Sequence, residues 1–106
     1  MHARVTLLEI DTVRMDMDAA LERFRADVLP VLREQPGYEG VYVLSTPEGK
    51  GLLLSLWSSP EDAEASVASG YYGDQLAKFA TLFRAPPGRE HYRVVLADAP
   101  ALAIEP

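Results

Sequence analysis

Apolar and polar positions change period several times along the chain, and each change marks an element. Residues 3–11, "ARVTLLEID", are β-branched and apolar with a polar end, which predicts a strand. Over residues 17–35, within the stretch that starts at Met15, Leu21, Phe24, Val28 and Val31 or Leu32 recur at helical spacing. Asp16 or Asp18 can cap this helix and Pro36-Gly37 ends it, while Pro30 should bend it or loosen its last turn. "YEGVYVLS" reads as a strand, "TPEGKG" as a tight turn and "LLLSLW" as the returning strand. Pro47 suits the first central turn position, and Gly49 or Gly51 can take positive φ. A second helical region follows, with Ser59 as N-cap, Pro60 first in the helix and Glu61-Asp62 in the first turn. The loop "RAPPGRE" leads to a last strand, "HYRVVLAD", and residues 99–106 form a C-terminal tail.

Residues 60–83 cannot be one continuous helix. Ala63 and Val67 define an early apolar stripe; Tyr72, Leu76, Phe79 and Phe83 define a late one. At about 100° per residue, Tyr72 lies about 180° from Ala63, so an unbroken helix would expose one stripe. The chain must break between them, and "SGYYGD" supplies Gly70 and Gly73 for the purpose.

The order β-α-β-β-α-β predicts an α+β, ferredoxin-like domain over residues 1–98, a four-stranded antiparallel sheet with helices on one face. The other face would ordinarily be polar. Here Leu52, Leu54 and Leu56 fall on one side of their strand and Leu53 and Trp57 on the other. Val41 and Val43 oppose Tyr42 and Leu44, and Val95 opposes Val94 and Leu96. Strands apolar on both sides are buried on both sides. A homodimer packed sheet to sheet is the simplest cover.

Composition narrows the function. Ten Lys and Arg against sixteen Asp and Glu give a net charge of −6, which argues against a phosphate-binding, nucleic-acid surface. Cysteine is absent, which removes disulfides, thiolate metal sites and a Cys nucleophile. The N-terminal segment alternates apolar and charged residues, unlike a signal peptide, and no stretch reaches the length of a membrane span. A cytoplasmic protein is the default expectation. His2 and His91 are the only imidazoles and do not have metal-ligand spacing, so no metal is expected.

"QPGYEG" after the first helix, a strand ending in Trp57, "SSPEDAEAS" and a broken second helix resemble antibiotic-biosynthesis-monooxygenase-like proteins of the dimeric α+β-barrel superfamily. The resemblance covers about residues 3–98. It implies a small homodimer with a pocket between each subunit's sheet and helices. It also implies oxygenation of aromatic polyketides or quinols without a cofactor, or oxidative haem breakdown. Two departures argue against haem breakdown. Ser66 and Tyr71 stand where relatives carry histidines, the first of them the haem ligand, and the chain has no Asn for the first-strand position that branch uses.

The resemblance places Trp57 in an aromatic-substrate pocket; by itself a lone Trp reads as core. Tyr72 falls on the late stripe and reads as core, with Tyr71 about 100° away, pointing outward or toward a cleft mouth. A phenol there can donate to a developing oxyanion but is a poor base. Arg84 suits a helix C-terminus and is the candidate clamp for an enolate or carboxylate. Tyr71 and Arg84 are therefore the candidate catalytic residues. Trp57, Tyr72, Ser66 and Tyr42 are the candidate pocket residues. Two functions follow: a cofactor-independent monooxygenase acting on an aromatic or polyketide-derived small molecule, or a non-catalytic dimeric binding domain of the same fold.

Overall fold

Alternation along the first strand decides which side chains meet the helices. The computed structural model describes residues 1–98; the tail expected over 99–106 lies outside the described residues. The chain runs β1 (His2–Glu9), α1 (Met17–Arg23), α2 (Leu29–Arg33), β2 (Tyr38–Ser45), β3 (Lys50–Trp57), α3 (Pro60–Ala68), α4 (Tyr71–Ala77) and β4 (Gly88–Arg93). The sheet is antiparallel in the order β2-β3-β1-β4, which is the expected ferredoxin-like arrangement. Register sets Arg4 opposite Ser55 and Thr6 opposite Leu53, and β2 adds Val41 and Val43 to that side. This face meets the helices. Ala3, Val5 and Leu7 point the other way with Leu52, Leu54 and Leu56. On that second face Leu7, Tyr42, Leu44 and Tyr92 are 40–54% exposed.

The first helical region starts as expected, with Asp16 Oδ1 accepting from the Ala19 N–H at 2.8 Å. Pro30 takes effect upstream of itself. A regular helix would set its ring against the carbonyl of residue 26. The chain instead forms a π-helical turn over Phe24–Val28, closed by the Leu29 N–H donating to the Phe24 carbonyl. The extra residue widens the turn between α1 and α2, where Phe24 and Val28 both face the sheet.

The expected break in the second helix is present. α3 opens on Ser59, whose Oγ accepts from the Asp62 N–H at 3.1 Å, and ends at Ala68. Gly70 then adopts φ 86°, a left-handed conformation, and α4 begins at Tyr71. Beyond the break the buried residues are Tyr71, Phe79 and Leu82, so Tyr71 is core and Tyr72 only half-buried. This reverses the expected pair. The stripe reading assumed helix through residue 83, whereas α4 stops at Ala77 and a 3-10 turn, Ala80–Leu82, resets the phase.

β4 occupies residues 88–93 in place of the expected 91–98. It pairs with β1, and the register His2↔Arg93 exhausts that partner. One further bond, Val94 N–H to the Met1 carbonyl, ends the ladder. Val95 and Leu96 are therefore 78% and 83% exposed, not buried between faces as expected.

Candidate functional site

The helix-facing side of the sheet and the helices above it enclose a cavity of about 110 Å³. Its walls are mainly apolar: Phe24 and Val28 from the π-turn, Leu53 from β3, Leu76 and Phe79 from the end of the second helical region. Leu21 and Val43 also line it and are 36% and 39% exposed, which places the mouth between α1 and β2. Polar groups are few. Arg4, Thr6, Ser45 and Ser55 contribute from the sheet; Tyr71, Tyr72 and Gln75 contribute from α4.

Arg4 is the unexpected member. It sits at mid-sheet on β1, only 3% exposed. Nη1 donates to Ser66 Oγ at 2.6 Å and to the Ala63 carbonyl at 3.2 Å, both on α3. The guanidinium carbon lies 4.4 Å from the Tyr72 ring centre and 4.9 Å from that of Trp57. Burial lowers its pKa, and the neighbouring phenols of Tyr72 and Tyr71 oppose that shift. An arginine nevertheless stays protonated.

The two tyrosines differ in their bonding. Tyr72 Oη and Thr6 Oγ1 share a hydrogen bond of 2.8 Å, which fixes the ring along the sheet. The Tyr71 hydroxyl has no partner among the described residues. Burial pushes its pKa up to about 12, against the pull of Arg4. Near neutral pH Tyr71 is thus a protonated donor and not a base.

The remaining candidates lie elsewhere. Trp57 is fully buried and outside the lining; its Nε1 donates to Ser55 Oγ at 3.0 Å, and Ser55 Oγ in turn donates to the Arg4 carbonyl at 3.3 Å. It backs the guanidinium as core. Ser66 is also outside the lining, accepting from Arg4 and donating to the Ala63 carbonyl at 2.7 Å. Tyr42 lies on the opposite face of the sheet. Arg84 is exposed and outside the cavity, because its backbone N–H ties it to the Glu9 carbonyl at the strand end. The cation that faces the cavity is Arg4. Its signal in the sequence is a charge and a hydroxyl, Arg4 and Thr6, at alternate positions of an otherwise apolar strand.

Among the described residues the lining offers no imidazole to a haem: His2 and His91 hydrogen-bond each other at 3.1 Å outside it, and Tyr71, Tyr72 and Met17 are the lining groups of an iron-ligating type. Ser66 is committed to Arg4.

The model of the antibiotic biosynthesis monooxygenase family matches residues 5–78. A protein of unknown function from Nitrosomonas europaea superposes with a TM-score of 0.72 at 23% identity, covering 94% of each chain. A monooxygenase from Streptomyces coelicolor, solved with nanaomycin D, gives 0.72 at 16% identity over 94% of this chain and 92% of that one. A haem degrader from Mycobacterium tuberculosis with two haems bound gives 0.65 at 18% identity over 93% and 100%. These likenesses establish the fold. No curated sequence matches the chain.

Proposed function

The chain belongs to the antibiotic biosynthesis monooxygenase family, and from that premise we propose that it is a homodimeric, cofactor-independent monooxygenase acting on a small aromatic molecule. The observation that carries this reading is the cavity, with its aromatic and aliphatic walls and the Tyr71 hydroxyl, which has no hydrogen-bond partner among the described residues. The volume of about 110 Å³ is below the roughly 150 Å³ of an apolar cavity that admits benzene, which disfavours a polycycle held wholly inside and leaves a single ring reaching into the mouth.

The reaction class needs little from the protein. An electron-rich phenol or anthrone-like carbon, once deprotonated, reduces O₂ itself. For an anthrone, one oxygen atom becomes the ketone of the methylene carbon and the other leaves as water with that carbon's two hydrogens. For a phenol, one oxygen enters the ring carbon to give the quinone, and the water carries one hydrogen from that carbon and one from the phenol hydroxyl. The walls orient the ring and exclude water, and Tyr71 donates to the developing oxyanion. The apolar second face of the sheet supports the dimer, since Tyr42, Leu44 and Tyr92 are exposed there.

A second reading, a binding domain without catalysis, is favoured by one observation. Among the described residues, the lining contains no His, Lys or carboxylate to act as base. Oxygen consumption with single-ring hydroquinones and with anthrones, in the presence of chelator, separates the two. Uptake above the uncatalysed rate supports the oxygenase; binding without uptake supports the second reading.

A further inference from the structure

Arg4 is a buried cation that lines the cavity without a counter-ion among the described residues. Its Nε is fully enclosed and has no hydrogen-bond partner, and among the described residues no carboxylate lies within ion-pair distance. Buried charges are ordinarily paired and hydrogen-bonded. The rings of Trp57 and Tyr72 offset part of the lost hydration, but a π face supplies no in-plane acceptor for Nε. Nor does the structural link to α3 account for it, since Nη1 alone makes that link.

A second cation lies close by. Arg89 stands opposite Thr6 on β4, 5.4 Å from the same Tyr72 ring, and likewise forms no ion pair among the described residues. Arg89 is exposed and outside the cavity lining, so water screens its charge; its field still falls on the buried Arg4, and an anion beside Arg4 offsets it.

We propose that the inner end of the cavity is an anion site, where Arg4 receives the phenolate oxygen of a single-ring aromatic ligand while the ring lies among the apolar walls. The proposal rests on the reading of this cavity as a ring-binding site. It supplies what the lining lacks: with no base present, the site gains its reactive ligand by preferring the ionised form. The groups that share this field are Tyr71, Tyr72, Arg89 and His91.

The probe is para-nitrophenol, whose ionisation is read from its visible absorbance. With saturating protein, the bound probe should ionise about one pH unit or more below the free probe, equivalent to roughly tenfold tighter binding of the phenolate. Arg4→Gln should abolish the displacement and Arg4→Lys retain part of it. His91→Gln, run in parallel, separates the titration of that imidazole from the probe's. A wild-type midpoint at or above that of the free probe overturns the proposal, as does failure to bind it or an undiminished displacement in a folded Arg4→Gln variant. Should Arg4→Gln not fold, the wild-type midpoint decides alone. A lowered midpoint with no oxygen uptake refutes the oxygenase and keeps the anion site; uptake with an unmoved midpoint does the reverse.

Discussion

Arg4 Nη1 donates to Ser66 Oγ at 2.6 Å, joining the centre of the sheet to α3 through a buried polar contact. Removing the hydroxyl leaves a buried donor with only the longer bond to the Ala63 carbonyl. Ser66→Ala should cost about 1–3 kcal/mol, read from denaturant midpoints. Combined with Arg4→Gln it should cost less than the two changes added, because they remove one interaction.

Gly70 and Gly73 should respond to alanine with opposite signs. Both have open space where a Cβ would project, but Gly70 holds φ 86° and Gly73 lies inside α4. Gly70→Ala should destabilise by roughly 1–2 kcal/mol through the left-handed backbone. Gly73→Ala should stabilise by up to about 1 kcal/mol. Equal effects in chemical denaturation would contradict the position of the break.

The raised pKa of Tyr71 fixes the sign of an alkaline effect. Its phenol ionises near 10 when exposed and near about 12 in the fold. Below pH 10 both states keep the proton and this contribution to stability is intact. As pH rises from 10 through about 12 the unfolded chain releases the proton first, and stability falls. Tyr71→Phe should lose less stability over that interval than the wild type, by urea midpoints measured on either side of pH 10.

How much the sequence discloses depends on the kind of signal. Alternation and helical spacing suffice for the sheet, and the opposed stripes about Gly70 require the break. The reversed exposure of Tyr71 and Tyr72 was not legible, because one left-handed residue and a 3-10 turn shift helical phase without a change in composition. Tyr42 and Val43 are adjacent on one strand, and only the register tells which faces the cavity. Arg84 stands out in the sequence by its place near a helix end. Arg4 does not, because a charge in a strand looks solvated until the covering helices are placed.

The uncovered sheet face predicts assembly. Leu44 is 54% exposed in the isolated chain, beside Tyr42 two residues earlier on the same face. The wild type should sediment as a dimer, and Leu44→Asp should shift it toward monomer while leaving the circular dichroism spectrum unchanged. A monomeric wild type would remove the dimer from the account.

Ala20 projects from α1 into the cavity, where a larger aliphatic side chain would occupy the space assigned to the ring. The decisive measurement is oxygen consumption with a single-ring hydroquinone, in chelator, by the wild type and by folded Ala20→Leu. The account predicts uptake by the wild type and its loss on filling the cavity. Equal uptake by both proteins, or none by the wild type, would contradict it.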